Sequence, residues 1–342
     1  MTPSPLQRIC VTPQPQHVGG PASFIGKFSR GLAGRGIAVT HDLDDQPYQA
    51  ILLVGASRRL VPLRQARRQG TRIVQRLDGM NWLHRSRFTS PRHWLKAQMS
   101  NILLAYTRDR LASAVVYQSR FVQEWWQEAY GESAPGVVIH NGVDLTHFSP
   151  TGEGQPPGDG VRILMVEGNL GGGYELGLEH AVALANALAK EADQPVELAV
   201  AGQVGDQVRA KTETASQVEL KWLGLLPLAE LPHHYRSAHL LFSGDVNAAC
   251  PNSVIEAMAC GLPVLAFNTG ALPELVTPAA GRLAAYGGDP WQLEPADISA
   301  LTKAAQAVLA DLDRFRAGAR ARAEAAFGLE TMVDKYLEVL GG

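Results

Sequence analysis

Cysteine is scarce in this chain of 342 residues: Cys10, Cys250 and Cys260 are the only three, and no Cys-x-x-Cys occurs. Three thiols cannot build a paired disulfide framework, and a reducing cytosol is their simplest setting. Cys250 and Cys260 read as packing residues rather than ligands or nucleophiles. Long apolar runs are missing as well, since no stretch approaches the ~18 residues that a membrane-crossing helix needs. The first ten residues show no basic flank ahead of an apolar core, so no secretion signal is expected there. The glycine-rich loop from Glu167 to Tyr174 is not a Gly-x-Gly-x-x-Gly fingerprint, which argues against a bound dinucleotide. Lys and Arg are absent from 168 to 189. Asp42-Leu43-Asp44-Asp45 is an Asp-x-Asp pattern, but it follows a predicted strand as a solvated acidic loop, and no metal and no cofactor are expected.

What is present bounds the architecture. A length of 342 residues with 46% hydrophobic content suits two globular domains of about 150 to 190 residues each. The net charge of −2 hides an asymmetry. Residues 1–150 hold 18 Lys or Arg against 9 Asp or Glu, and the remainder holds 13 against 24. Between Arg58 and Lys96 eleven basic residues accompany a single acid, Asp78.

Short apolar runs alternate with amphipathic runs of helix length, the signature of parallel sheets with crossover helices. Strands are predicted over 8–12, 37–41, 50–55, 71–77, 114–118 and 136–140. Helices are predicted over 21–34, 59–69, 91–112 and 119–130. The Pro- and Gly-rich stretch 149–160 reads as a linker. Strands over 162–166, 196–201, 218–223, 239–243 and 263–267 follow, with helices over 174–190, 298–310, 313–326 and 329–340. The expected architecture is α/β, two Rossmann-like doubly wound domains facing a cleft. The first domain is expected to span 1–150 and the second 151–326. The helix in 327–342 is expected to pack back on the first. Ligands in such sheets sit beyond the carboxyl ends of the strands.

The most informative segment is 251–276, Pro-Asn-Ser-Val-Ile-Glu-Ala-Met-Ala-Cys-Gly-Leu-Pro-Val-Leu-Ala-Phe-Asn-Thr-Gly-Ala-Leu-Pro-Glu-Leu-Val. Asn252 or Ser253 can cap a helix that Gly261 stops after little more than two turns. Pro263 forces the extended run Val264–Phe267, and Thr269-Gly270 opens the next turn. A helix start and the adjoining turn thereby offer backbone N–H groups to one ligand, an arrangement suited to phosphate. Ser253 and Glu256 also fit a capping box, in which the Glu reaches back to a backbone N–H. Gly19-Gly20-Pro21-Ala22 follows the first strand, and paired glycines there let the main chain approach a ligand. Asn141-Gly142 supports a tight turn with positive φ at the crossing into the second domain.

The order Glu256-Ala257-Met258-Ala259-Cys260-Gly261-Leu262-Pro263-Val264 resembles the donor site of GT-B glycosyltransferases, specifically the retaining family 4. Asn141-Gly142-Val143-Asp144 with Phe148 and Pro150 is similar to another stretch of that family. The resemblance implies transfer of a hexose-type sugar from a nucleotide diphosphate to an acceptor hydroxyl with retention, in cell-surface glycan or glycolipid synthesis. A donor phosphate oxygen would take the acceptor proton. It further implies that Glu256 holds the ribose hydroxyls. Asn252, Ser253, Val254, Thr269, Gly270, Glu274, Gly19 and Gly20 would line the donor. Asp78 stands where many relatives carry His beside the reacting sugars, and could orient the acceptor or serve as a turn residue. Two family features differ. The acid expected eight positions before Glu256 is Ala248, and the Arg and Lys expected after the first strand of the second domain are replaced by Asn169 and by glycines or Tyr174. Arg58 or Arg59 is then expected to serve the phosphate or acceptor side.

Residues 58–96 mix basic residues with Trp82, Phe88 and Trp94, which suits an anionic membrane surface or a lipid-linked acceptor; no nucleic acid partner is expected. A cytoplasmic place, peripheral on the inner membrane face, follows. Two other readings remain open: a nucleotide-sugar-binding protein of the same fold with weak or no activity, and a nucleotide-sugar epimerase.

Overall fold

The computed structural model describes residues 6–14, 19–86, 91–171, 175–192 and 194–342. The elements run β1 (Arg8–Thr12), α1 (Gly20–Ala33), β2 (Ala38–Thr40), β3 (Ala50–Val54), α2 (Leu60–Arg68), β4 (Arg72–Leu77), α3 (Leu83–Ser86), α4 (Pro91–Arg110), β5 (Ala114–Tyr117), α5 (Arg120–Tyr130) and β6 (Gly136–Val138). They continue as β7 (Val161–Asn169), α6 (Glu175–Glu191), β8 (Val196–Gln203), α7 (Asp206–Ala215), β9 (Glu219–Gly224), α8 (Leu231–Arg236), β10 (Leu240–Ser243), α9 (Asn252–Ala259), β11 (Val264–Phe267), α10 (Leu272–Leu275), β12 (Gly281–Ala284), α11 (Ile298–Leu309), α12 (Leu312–Ala326) and α13 (Leu329–Gly341). Two compact units result: the chain up to Gly142 with Leu329–Gly342, and Val143–Gly328.

In the first unit the sheet order is β2-β1-β3-β4-β5-β6, all parallel. β3 is apolar at every position because helices cover both of its faces, and all five residues are buried. The order reverses between β1 and β3, the switch point at which such sheets open a crevice at their carboxyl ends. α13 closes this unit. Leu329, Met332, Val333, Tyr336 and Leu340 share one core with Ile9, Phe24, Phe28 and Val74. α1 and α13 touch at Gly31, where an added Cβ would stand 2.6 Å from Val333 Cγ2.

In the second unit the order is β12-β11-β10-β7-β8-β9, also parallel, with its switch point between β7 and β10. α6 and α11 supply much of the core on this sheet, through Leu178, Ala181, Leu184, Leu301, Ala305 and Val308.

Two local expectations change. The Pro- and Gly-rich stretch 149–160 is not a free connection, because arginines of the second unit clamp it. Arg236 donates to the carbonyls of Glu153 and Ser149 at 2.7 and 3.0 Å, and Arg320 holds the residues just before the stretch, donating to the carbonyls of Phe148 and Leu145 at 2.9 and 3.2 Å. The units accordingly part at 142/143. Gly142 is also not a positive-φ turn. Its missing Cβ instead makes room for α13, since a Cβ there would lie 3.0 Å from Leu329 Cα and from Met332 Cβ.

Candidate functional site

In the second unit, the chain leaving β10 and the chain leaving β11 lock together. The Ala271 N–H donates to the Ala248 carbonyl at 2.8 Å, and the Asn247 N–H to Thr269 Oγ1 at 3.3 Å. Gly270 lies at φ 58°, and a Cβ on it would fall 2.6 Å from the Ala248 backbone and from the Asn247 carbonyl carbon. Asn247 itself sits at φ 59°, the left-handed region that Asn tolerates better than most residues. Its side chain is buried and its Nδ2 meets no acceptor. Thr269, Gly270 and the position of the absent acid, Ala248, are therefore one rigid structure, with Thr269 and Ala248 buried.

α9 begins beside that structure. Its N-cap is Pro251, with no side-chain cap, so Asn252, Ser253 and Val254 occupy the first turn. This corrects the capping expectation. Neither Asn252 nor Ser253 is the cap, and Ser253 with Glu256 is out of register for a capping box, which needs the cap residue and the third helical position. N–H groups of a first turn have no partner inside their helix, and their dipole end is positive. Glu256, buried in α9, receives the Tyr235 hydroxyl on Oε2 at 3.2 Å. Tyr235 comes from α8 and is fully buried, which together with the Glu256 charge pushes its phenol well above its ordinary value. Glu274 lies part-buried in α10, where its carbonyl and that of Leu275 accept from Arg322 at 2.7 and 2.9 Å.

Near the β7/β10 switch point lie two carboxyl groups close enough for the charge of one to act on the other, Glu167 near the end of β7 and Asp245 just past β10. Burial pushes Glu167 up to about 8, with the charge of Asp245 adding to the rise, and burial pushes Asp245 up to about 7. Asn169 is exposed, and its Oδ1 accepts from the Gly171 N–H at 3.1 Å, so it shapes its own loop. Gly172, Gly173 and Tyr174 lie outside the described residues. Neither Asp245, Asn247 nor Tyr235 was singled out by sequence reasoning. An acid directly after a buried apolar strand was the available signal for Asp245; Tyr235 and Asn247 had none.

The first unit gathers the remaining candidates beyond the carboxyl ends of its strands. Gly19 and Gly20 open α1 after β1, and a Cβ on either would meet no atom within 4 Å. Neither has a positive φ in the left-handed range. Nothing in the fold thus demands glycine at these two positions. Arg58 is exposed in the β3–α2 loop. Arg59 is committed to two acids, at 2.6 Å to Asp42 Oδ1 and with Asp44 as second partner. Asp45 takes Arg8, so the Asp-x-Asp stretch is an arginine-paired loop. Asp78 follows β4; burial raises its carboxyl against the lowering effect of Arg76, and its carbonyl accepts from Trp126 Nε1 at 2.9 Å. Arg76 is buried with its guanidinium 4.1 Å from the Phe24 ring centroid, donating to Asn141 Oδ1 at 2.9 Å. Among the described residues, no group of three or more His, Cys, Asp or Glu is placed to hold a metal ion. Phe88, part of the basic and aromatic stretch, lies outside the described residues.

Comparison with known proteins fits this geometry. Residues 162–311 match the family profile described as Glycosyl transferases group 1. Among solved structures, a sucrose-phosphate synthase from Thermosynechococcus elongatus superposes with a TM-score of 0.77 at 17% identity, over 96% of this chain and 97% of that one. Anabaena HepE, solved with UDP and glucose, gives 0.72 at 18% identity over 98% and 99%. WaaG, a glycosyltransferase involved in lipopolysaccharide biosynthesis, gives 0.66 at 14% over 98% and 100%. A search of curated proteins returned no match. Residues 162–311 are therefore similar to the glycosyl transferases group 1, and the chain as a whole has the GT-B fold of two Rossmann-like units.

Proposed function

We propose that this chain is a retaining, metal-independent glycosyltransferase of the family 4 type, moving a hexose-type sugar from a nucleotide-diphosphate donor to an acceptor hydroxyl in glycan or glycolipid synthesis. One observation carries the reading. Within the matched residues, Glu256 is a buried carboxylate, fixed by Tyr235, in the same short helix whose first turn abuts the locked Asn247–Ala248 and Thr269–Gly270 structure. A carboxylate accepts both protons of a vicinal diol, which suits ribose. Asn252, Ser253 and Val254 present main-chain N–H groups to phosphate, and Thr269 and Gly270 line the same side. Glu274 stands one turn further on. Metal independence is favoured because Asp42, Asp44 and Asp45 are spent on arginines.

The chemistry needs no protein base. The bond between the anomeric carbon and the donor phosphate oxygen breaks, the acceptor oxygen bonds to that carbon on the same face, and a donor phosphate oxygen receives the acceptor proton. The leaving diphosphate gains charge, and the helix-start N–H groups stabilise it where it develops. Burial raises Glu167 to about 8 and Asp245 to about 7, so near neutral pH the pair retains protons and can offer O–H donors at the switch point with less negative charge than two ordinary carboxylates. Gly19 and Gly20 let the main chain of the first unit approach the donor, and Asp78 orients the acceptor. HepE was solved with UDP-glucose, which supports a nucleotide sugar as co-substrate.

The test is donor binding and turnover measured separately, with the anomeric configuration of the product read by NMR. Binding with transfer and retention is expected. An inverted product removes the family 4 mechanism, and isomerised donor without acceptor makes the chain an epimerase. Ala248 and the absence of Lys and Arg over 168–189 favour one second reading, a nucleotide-sugar-binding protein with little turnover. Binding without transfer or hydrolysis selects it.

A further inference from the structure

A cavity of about 430 Å³ opens in the second unit at the C-terminal end of α9, where Cys260 and Gly261 line it. Arg236 of α8 and Arg316 and Arg320 of α12 converge on it. Arg320 is spent, since it donates to the Ala259 carbonyl at 2.6 Å and to Oε1 of Glu324, the acid on the cavity wall, also at 2.6 Å. The other two are not. Arg236 uses Nε and Nη1 on main-chain carbonyls, and its Nη2 has no hydrogen-bond partner among the described residues. Arg316 uses Nη2 on the Ala238 carbonyl at 2.8 Å, and its Nε and Nη1 have no partner among them either. Neither guanidinium forms an ion pair with a described carboxylate, and burial lowers Arg316 from its ordinary value against the raising effect of Asp313. Carbonyls orient a guanidinium, but they bring no charge to neutralise it.

We propose that this cavity binds a phosphomonoester dianion carried by a small molecule, held between Arg236 and Arg316. Two guanidinium charges without an acid partner match a dianion, and their remaining N–H groups are the donors that planar arginine forks offer to phosphate oxygens. A phosphate alone fills only part of about 430 Å³, a volume in the range of small-molecule sites, so the ligand carries a further group. The Cys260 thiol, pushed up by burial to about 12, stays protonated and adds no negative charge to the wall. The cavity shares no residue with the helix start and turns proposed for the donor, so it does not depend on that chemistry. It nevertheless adjoins both elements that fix Glu256, because Arg236 follows Tyr235 in α8 and Cys260 stands one turn after Glu256.

The experiment is calorimetry of the full chain with inorganic phosphate and with glycerol 3-phosphate, at fixed ionic strength, with acetate as the control anion. Saturable binding of both, at least about tenfold tighter than acetate, is expected. Arg316→Gln should weaken it about tenfold or more. Ala317 lines the cavity from an exposed position of α12, so Ala317→Glu adds a carboxylate there without displacing a packed side chain. That variant should lose phosphate binding while circular dichroism and nucleotide-sugar binding stay unchanged. In the unaltered chain, phosphate should protect Arg236 and Arg316 from phenylglyoxal, with the modified arginines mapped by mass spectrometry. The proposal is overturned by absence of saturable binding, by rejection of glycerol 3-phosphate, by full binding in the folded Ala317→Glu variant, or by protection of other arginines alone. A chain that binds phosphate here but no nucleotide sugar would sink the proposed activity and leave this cavity intact.

Discussion

Tyr235 donates its hydroxyl to Glu256 and both are buried, so the carboxylate has a structural role beside the donor contact proposed for it. Glu256→Ala should weaken nucleotide-sugar binding tenfold or more, about 1.4 kcal/mol, by calorimetry. It should also cost about 1–3 kcal/mol of stability by leaving the buried Tyr235 hydroxyl unpaired. Unchanged affinity in the folded variant would leave Glu256 only its structural role. Gly20→Ala makes the opposite pattern. Space and φ both permit a methyl group there, so melting should stay the same or improve slightly while donor affinity falls several-fold. Glu167 and Asp245 give a pH signature. Their folded values are raised, so the native state holds protons that the unfolded chain releases at lower pH. Stability should therefore fall as pH rises from the ordinary carboxyl range through about 8, and Glu167→Gln with Asp245→Asn should flatten that fall in thermal melts at each pH. Glu256 and its neighbours could be singled out from the sequence because they form one contiguous pattern. Tyr235 and Asp245 were not, because only the parallel sheet order brings α8, β7 and β10 to the same place.

The β10–α9 and β11–α10 connections behave as one element. Gly270 is its pivot, with a left-handed φ and no room for a Cβ beside Ala248. Gly270→Ala should lower the melting temperature and abolish donor binding together, because the shift needed to admit the methyl would part the two connections; a stable, binding-competent variant would refute that coupling. Strands were easy to read wherever both faces are buried, as in Ala50–Val54, since continuous apolar runs carry no competing period. α7 was missed because Asp206–Ala215 is mostly polar and offers no apolar stripe. α8 and β12 were missed because six and four residues give too little period to register. Asn141-Gly142 misled for a different reason. Glycine there serves close packing, which a single sequence cannot distinguish from a turn.

For the molecule as a whole, two doubly wound units followed from alternating patterns, but the division between them did not. A Pro- and Gly-rich stretch looks the same in a sequence whether it hangs free or is clamped by distant arginines such as Arg236 and Arg320. The return of the chain after Gly328 has a measurable cost if removed. Deleting α13 should strip the cover from Phe24 and Phe28, and the shortened chain should bind the apolar dye ANS and aggregate, while Val143–Gly328 expressed alone remains folded by circular dichroism. This layout also sets an order on the ribosome. Val143–Gly328 is uninterrupted and can collapse as it emerges, whereas the half made first must wait, incomplete, until α13 has been made. A released chain truncated after Gly328 should therefore show a protease-resistant later half and a sensitive earlier one, the reverse of the usual order in which domains mature during synthesis.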